Sequence, residues 1–181
     1  MKKTSGAVAG AVAMQTLSCT TVAAKTKSME GNFKLRDYKL DSGAVIANAI
    51  LSYETHGEIN ADKSNVILYP TWYTGRHMDN RAAIGEGRAL DPTKYFIIVP
   101  DMFGNGLSSS PTNTPPPHDR GRFPLTTTYD NIRAQKRLCE EVFGINKIRS
   151  VVGFSMSAQQ AFHWGAVYPE MVQSIAPICG S

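Results

Sequence analysis

The pattern of apolar and polar positions changes along the chain, and the change predicts a layered α/β fold. Segments 32–40 and 44–53 read as two strands separated by Asp41-Ser42-Gly43, which is typical of a β-hairpin. Later apolar runs are continuous rather than alternating, as expected of strands buried on both faces. These runs are 66–69, 95–99, 148–152 and 174–179.

Helix-like periodicity separates the continuous runs. Segment 127–143 places apolar residues on one side and opens with Thr127 and Asp130 in a capping-box spacing. Segment 155–168 carries a stripe of small residues that would let a helix lie close to a sheet. Segment 81–89 gives a weaker helix signal because it contains two glycines.

The order of these elements is a hairpin followed by alternating strands and helices. Such an order predicts a mostly parallel sheet with helices on both faces. Segment 108–124 is rich in serine and proline and is predicted to be a long loop. With 181 residues the chain is long enough for one domain, which we place at residues 29–181.

The net charge of +4 comes from the beginning of the chain. Lys2, Lys3, Lys25 and Lys27 precede the first acidic residue, Glu30, and the 15 remaining basic residues equal the 15 acidic ones. A neutral body lacks the clustered Lys and Arg of a nucleic-acid-binding face, so we expect no nucleic-acid partner. No run of about 18 apolar residues is present, and we expect no transmembrane segment.

Residues 1–28 form a leader that fits more than one interpretation. Two lysines precede an Ala/Val-rich stretch, and Val22-Ala23-Ala24 supplies the small residues of a cleavage site. This arrangement resembles a secretory signal peptide, which would place the protein in the periplasm or outside the cell. A disordered tail, or a true start at Met29, would instead leave it in the cytoplasm, and both alternatives stay open.

The three cysteines have no spacing typical of a metal site. Cys139 falls on a helix pattern and Cys179 on a strand pattern, whereas Cys19 belongs to the leader. We therefore expect no bound metal, and we predict that Cys139 and Cys179 are small core residues.

The stretch VVGFSMSAQQ, residues 151–160, joins a predicted buried strand directly to a predicted helix. Gly153, Ser155 and Ser157 follow the G-x-S-x-G pattern of a sharp strand-to-helix turn, with serine in place of the last glycine. Such a turn exposes a nucleophilic hydroxyl and aims the next amide at the place where an oxyanion forms. The pattern predicts Ser155 as a nucleophile and Met156 N–H as an oxyanion donor. A plain helix N-cap at Ser155 is the structural alternative.

A second oxyanion donor is expected from the loop after the third strand. That loop is 69–75, and the candidate donors are the N–H groups of Trp72 and Thr71. The alternative interpretation makes Trp72 and Tyr73 packing aromatics, or residues that line a substrate pocket.

With these residues placed, the chain resembles the α/β-hydrolase superfamily, and within it the homoserine O-acetyltransferase family. The likeness covers about residues 44–181. The residues that carry it are Phe123, Pro124, Thr127, Asp130, Arg133, Ala134, Gln135, Val151, Val152, Gly153, Ser155, Met156, Gln160, Ala161, Trp164, Tyr168, Pro169 and Glu170.

The resemblance implies acyl chemistry through a Ser-His-Asp triad and an acyl-enzyme on Ser155. It implies a small-molecule acyl donor and acceptor, with acyl-CoA as the co-substrate of a transferase and no bound cofactor; a homodimer is left open. Two segments depart from the family pattern, namely 106–111 and the Ser157-Ala158 pair after the turn. These departures count against homoserine as the acceptor and keep both transfer and ester hydrolysis open.

The triad partners of Ser155 are expected further along the chain. In this fold the acid and then the histidine follow the nucleophile, on strands after the sixth. We therefore expect the chain to be an incomplete α/β hydrolase that lacks the last strands and the lid, with an apolar sheet edge and no activity of its own. The histidines at 56, 77, 118 and 163 are expected to be loop or surface residues. A non-catalytic binding protein of the same fold is the alternative function.

Overall fold

The computed structural model describes residues 27–180, and all six predicted strands are present. They are β1 (Ser28–Lys39), β2 (Val45–His56), β3 (Val66–Leu68), β4 (Phe96–Pro100), β5 (Ser150–Phe154) and β6 (Ile175–Ile178). The α-helices are α1 (His77–Asn80), α2 (Thr128–Arg137) and α3 (Met156–Val167). Shorter helical turns are Arg81–Ala83, Arg120–Arg122 and Leu138–Val142. Nearly all of the predicted leader, including Cys19, lies outside the described residues.

The six strands form one mixed sheet in the order β1-β2-β4-β3-β5-β6. β2 runs antiparallel to both of its neighbours, whereas the pairs β3–β4, β3–β5 and β5–β6 are parallel. The predicted hairpin and the mostly parallel sheet are therefore confirmed. Because parallel strands end at the same edge, the segments that follow β3, β4 and β5 meet at the carboxyl edge of the sheet.

The core lies on both faces of this sheet, because successive strand residues point to opposite sides. In β3, Val66 and Leu68 join the larger apolar cluster, which α2 and α3 cover with residues such as Ile132 and Trp164. Ile67 instead joins a smaller cluster on the other face. On that second face the turn Arg81–Ala83 after α1 approaches β2, where Arg81 pairs with Glu54.

The helix α2 begins as its sequence predicts. The Thr127 hydroxyl accepts the Asp130 N–H at 3.1 Å, and the Asp130 carboxylate accepts the Thr127 N–H at 2.9 Å. This capping box satisfies amide donors that the first turn of a helix leaves free. The end of the predicted segment differs, because Leu138–Val142 forms a π-helical turn after α2 ends.

The prediction of a helix over 81–89 is wrong. Within this segment only the 3₁₀ turn Arg81–Ala83 is helical, and it directly follows α1, which ends at Asn80. Gly87 has a positive φ of 74°, and its N–H donates to the buried Asp91 carboxylate at 3.0 Å. This loop geometry replaces the helical hydrogen bonds that two glycines would have weakened.

The two described cysteines differ from each other. Cys139 is fully buried, as predicted, and burial raises the pKa of its thiol to about 12. Cys179 is exposed, so its prediction as a core residue is wrong. Cys179 lies one residue beyond the end of β6 and has a positive φ of 53°, so it is not part of the strand.

β6 forms one edge of the sheet, and apolar side chains are exposed around it. Ile178 of β6 is 51% exposed, and Phe162 on α3 is 49% exposed. Within residues 27–180, no helix has the length and apolar character that a membrane span requires.

Candidate active site

The turn between β5 and α3 has the geometry that its sequence predicts. Ser155 adopts a φ of 55° and a ψ of −124°, a conformation that is costly for a residue other than glycine. Its N–H donates to Ile178 O of β6 at 3.0 Å. A Cβ on Gly153 would lie 2.2 Å from Ser157 O, so the tight turn excludes any larger residue at that position.

The Ser155 hydroxyl is not an ordinary helix cap. Ser155 occupies the N-cap position of α3, but its side chain makes no capping hydrogen bond. The residue is exposed at the carboxyl edge of the sheet. A capping serine would normally have an extended backbone and accept an N–H of the first helical turn, so the structural alternative does not describe this residue.

The two candidate donors in the loop after β3, the N–H groups of Thr71 and Trp72, differ in whether they already have a hydrogen-bond acceptor. Thr71 is fully buried, and its N–H donates to Pro100 O at 3.1 Å. Trp72 is half-buried, and within residues 27–180 its N–H has no acceptor. The same holds in that range for Met156 N–H, which is the first amide of α3.

A cavity of about 370 Å³ lies where these elements meet. Trp72 and Met156 both line it, although Ser155 itself does not. None of its twelve lining residues is charged: they are Trp72, Tyr73, Thr74, Met102, Phe103, Gly104, Asn105, Thr126, Thr127, Thr128, Asn131 and Met156. The structure therefore places Trp72 and Met156, two of the predicted oxyanion donors, around one uncharged cavity beside the turn at Ser155.

Trp72 also serves the packing role of the alternative interpretation. Its ring contacts the Phe154 ring edge-on, with centroids 6.4 Å apart and planes at 85°. Phe154 directly precedes Ser155, so this contact joins the β3 loop to the turn at Ser155. The packing role and the donor role involve different atoms of Trp72 and are compatible.

None of the four histidines lines the cavity, and within the described residues none bonds to the Ser155 hydroxyl. His163 is exposed on α3, with Nδ1 3.0 Å from Gln159 O, and His118 lies half-buried in the proline-rich loop. His56 is the last residue of β2, and His77 is the first residue of α1, where it is buried; the expectation of a loop or surface position is therefore wrong for His77. No group of three potential metal ligands is found within residues 27–180.

Sequence reasoning missed a cluster of charged residues near the same edge. His77 Nδ1 lies 2.6 Å from Asp101 Oδ2, and the His77 backbone N–H donates to Asp101 Oδ1 at 2.9 Å. The hydrogen bond to Asp101 raises the pKa of His77. Asp101 directly follows β4, and a polar residue at a strand's carboxyl end was the signal that could have identified it.

The same cluster extends to β1 and β2. Arg81 donates to Glu54 at 2.9 Å and to Glu30 at 2.6 Å, and these two carboxylates lie on directly paired residues of the hairpin. His56 Nε2 lies 3.3 Å from Glu54 Oε2 without hydrogen-bond geometry. Burial lowers the pKa of His56. His77 is thus hydrogen-bonded to a carboxylate, whereas His56 only lies close to one.

Known proteins resemble this chain in sequence and in structure. A family model described as the alpha/beta hydrolase fold matches residues 65–181. An ethyl acetate hydrolase of Pseudomonas veronii is 43% identical over 160 residues, which cover 86% of this chain and 46% of that protein. A homoserine O-acetyltransferase of Methanohalobium evestigatum is 37% identical over 177 residues, which cover 85% of this chain and 36% of that protein.

A solved structure supports the same relationship. The acetylester hydrolase from Corynebacterium glutamicum superimposes with a TM-score of 0.82 at 42% identity, over 84% of this chain and 44% of that one. The chain thus spans about half the length of the curated relatives it matches, or somewhat less. Together with the strand order and the turn at Ser155, these matches confirm the predicted resemblance: the chain belongs to the α/β-hydrolase family.

Proposed function

We propose that this chain belongs to a serine esterase that hydrolyses small, neutral acyl esters through Ser155. The observation that supports the proposal is the turn at Ser155, where a strained backbone holds an exposed hydroxyl beside the cavity lined by Met156 and Trp72. A costly backbone conformation persists only where the surrounding structure maintains it, and such residues concentrate at active sites.

The proposed reaction begins with attack of Ser155 Oγ on the ester carbonyl. The serine proton passes to a histidine base, and the carbonyl oxygen becomes an oxyanion that accepts the N–H groups of Met156 and Trp72. Collapse of this intermediate releases the alcohol, which takes the proton from the base. A water molecule then attacks the acyl-enzyme in the same way, giving the carboxylic acid and restoring the Ser155 hydroxyl.

Trp72 is the better second donor of the two that the sequence offers. The Thr71 N–H already donates to Pro100 O, whereas the Trp72 N–H has no acceptor within residues 27–180. An oxyanion donor has to be free in the ground state in order to stabilise charge that develops later. The base and its acid are expected after Ser155 in the sequence, as the order of the triad in this fold requires.

Hydrolysis is favoured over acyl transfer by two observations. The described cavity has no charged lining residue, which suits a neutral ester better than the phosphates of an acyl-CoA or a zwitterionic amino acid. The ester-hydrolysing relative is also more similar in sequence, at 43% against 37% for the acetyltransferase. We therefore propose water as the acyl acceptor and a short acyl group, such as acetyl, as the acyl part of the substrate.

The test measures the activity of the full-length protein with different acyl acceptors, and the activity that remains when Ser155 is replaced. Purified protein is assayed with p-nitrophenyl acetate and ethyl acetate in water, and with acetyl-CoA plus homoserine. We expect ester hydrolysis that falls by at least about 10³-fold in Ser155→Ala, because the nucleophile is lost. Ser150→Ala, five residues earlier at the start of β5, serves as the control and should keep wild-type activity.

The other outcomes would overturn the proposal in different ways. Acetyl transfer to homoserine without ester hydrolysis would identify a transferase. Activity in Ser155→Ala equal to that of the wild type would remove Ser155 as the nucleophile. No turnover in any assay, together with tight binding of an ester, would favour a non-catalytic binding protein.

A further inference from the structure

The serine that replaces the second glycine of the turn motif makes a buried hydrogen bond. Ser157 Oγ donates to Pro70 O at 2.6 Å, and Ser157 is completely buried. Glycine at this position would satisfy the space requirement of the turn but could not make the bond. The departure from the usual pattern therefore links helix α3, just after Ser155, to the loop that carries Trp72.

One turn further along α3, Gln160 holds the same loop. Its Nε2 donates to Thr71 O at 2.9 Å and lies 3.3 Å from the Met102 sulfur, a weak acceptor. Gln160 is completely buried. Both hydrogen atoms of its amide are therefore directed at groups around the cavity, and Thr71 O receives the stronger of the two donors.

The orientation of the Gln160 amide is fixed by residues behind it. Trp164 Nε1 donates to Gln135 Oε1 at 2.9 Å, and Gln135 Nε2 donates to Gln160 Oε1 at 2.7 Å. An indole N–H can only donate and a backbone carbonyl can only accept, so the chain of bonds has one direction. It runs from Trp164 through Gln135 and Gln160 to Thr71 O, and the three side chains are completely buried.

This chain of bonds ends on the peptide group that carries the proposed oxyanion donor. Thr71 O and Trp72 N–H belong to one planar, trans peptide unit, in which C=O and N–H point in opposite directions. A bond that holds Thr71 O toward α3 therefore directs Trp72 N–H to the other side. Hydrogen bonding at the oxygen also polarises the peptide and makes its N–H a stronger donor.

The preceding peptide group is held at both of its ends. Its oxygen, Pro70 O, accepts from Ser157 Oγ and also from Asn80 Nδ2 at 3.3 Å. Its N–H, on Thr71, donates to Pro100 O at 3.1 Å. The loop from Pro70 to Trp72 thus has its backbone orientation fixed from α3, from α1 and from the end of β4.

We propose that Ser157 and Gln160 are positioning residues that set the Thr71–Trp72 peptide for oxyanion stabilisation. The inference rests on the proposed function, since it assumes that Ser155 attacks a carbonyl. Both residues lie on the helix whose first amide, Met156 N–H, is the other proposed donor. One rigid element therefore sets the position of both donors relative to each other and to the nucleophile.

The experiment uses Ser157→Ala, Ser157→Gly and Gln160→Met in the full-length protein. Ser157→Gly restores the usual motif residue, and Gln160→Met keeps side-chain length but removes the donor. Steady-state hydrolysis of p-nitrophenyl acetate is measured together with inhibition by a trifluoromethyl ketone. Addition of Ser155 to that ketone forms a hemiketal oxyanion, so its inhibition constant reports oxyanion binding rather than ester binding.

We expect kcat to fall about 10- to 100-fold in Gln160→Met and about 10-fold in each Ser157 variant, below the roughly 10²- to 10³-fold loss of a whole oxyanion donor. KM should stay within about twofold, because the interaction strengthens only in the transition state. The ketone inhibition constant should rise in parallel with the fall in kcat.

Ser52→Ala is the matched control. Ser52 is also a buried serine, 5% exposed, and its hydroxyl donates to Asn32 Oδ1 at 2.6 Å within the hairpin. It should lose thermal stability as Ser157→Ala does, but keep kcat and ketone inhibition. If the Ser157 and Gln160 variants behave like Ser52→Ala, the two residues are structural and the inference is wrong. If Ser155→Ala keeps its activity, the proposed function itself is wrong.

Discussion

Two polar networks lie near the carboxyl edge of this sheet, and they differ in chemistry and in burial: the first is completely buried, whereas Arg81 and Glu30 of the second are exposed. The first, which we call the neutral relay, runs from Trp164 through Gln135 and Gln160 to Thr71 O of the β3 loop. It also includes the separate bond from Ser157 Oγ to Pro70 O of the same loop. The second, the ionic cluster, joins His77, Asp101, Arg81, Glu54, Glu30 and His56. Both connect elements that are distant in sequence, but only the relay ends on the proposed oxyanion donor.

The difference in charge between the two networks determines whether each one depends on pH. Every member of the neutral relay is uncharged, so its hydrogen bonds are the same at all moderate pH values. The ionic cluster contains two histidines whose pKa values shift in opposite directions: burial lowers the pKa of His56, and the hydrogen bond to Asp101 raises that of His77. A site that needs a donor in a fixed place is thus held by amides and hydroxyls, while charges hold the hairpin to α1 and β4.

The largest effect on stability is expected from breaking the middle of the neutral relay. Gln135→Leu would leave Trp164 Nε1 and Gln160 Oε1 buried without partners. Because each unsatisfied buried group costs about 1–3 kcal/mol, we expect a loss of about 2–6 kcal/mol in the free energy of unfolding. Urea denaturation measures this loss, and Gln173→Leu at an exposed site should change stability by less than about 0.5 kcal/mol. Equal values for the two variants would show that the relay is not stabilising.

A smaller effect is expected from removing one charge of the ionic cluster. Asp101 is completely buried and accepts from His77 and from Asn105 Nδ2, the latter at 2.7 Å. Since hydrogen bonds to charged groups contribute about 1.5–3 kcal/mol, Asp101→Asn should lower the free energy of unfolding by that amount. Asp37→Asn on the exposed side of β1 is the matched control for thermal or urea unfolding. A stable Asp101→Asn protein would contradict the role given to the cluster.

The smallest effect is a change in pH dependence, and it separates the two networks most clearly. The pKa of His77 is raised above its ordinary value of 6.5 in the folded protein, chiefly by the hydrogen bond to Asp101. The stability that this histidine contributes is therefore full below pH 6.5 and is lost as the pH rises through the raised value. The wild-type protein should exceed His77→Gln in unfolding free energy most at low pH.

Titration of unfolding free energy between about pH 5 and 9 checks this expectation, across the range in which histidines change charge. His56, Glu54 and Glu30 are present in both proteins, so their own titration largely cancels from the difference. The difference between wild type and Gln135→Leu should stay constant over the same range, because the relay is uncharged. If the difference in unfolding free energy between wild type and His77→Gln does not change with pH, the ionic cluster does not make stability depend on pH as we expect.

The sequence predicts the sheet and the sharp turn at Ser155 because their signals are local. Continuous apolar runs predict strands β3 to β6. The glycine two residues before Ser155 predicts the sharp turn, because the structure leaves no room for a Cβ at Gly153. Residue type and spacing within a few positions were sufficient for both. The failed helix at 81–89 and the exposed Cys179 depended instead on loop geometry and on where β6 ends.

The relay was beyond local reasoning. Ser157 was recognised only as a small residue, and Gln135, Gln160 and Trp164 only as parts of a resemblance. Their bonds join residues separated by 25, 29 and up to 89 positions, so only the folded chain brings them together. The available signal for the relay is the presence of glutamines in the two helices that pack near the turn. An amide side chain that is buried there is expected to have hydrogen-bond partners.

The most direct test of the central claim is covalent labelling of the full-length protein with a fluorophosphonate probe, followed by peptide mapping. Ser155 should be the modified residue, with labelling absent in Ser155→Ala. Labelling should be slowed in Gln160→Met, because that variant loses the bond that orients the peptide group of the proposed donor, Trp72 N–H. Modification of another serine, or equal labelling of wild type and Ser155→Ala, would contradict the assignment of Ser155 as the nucleophile.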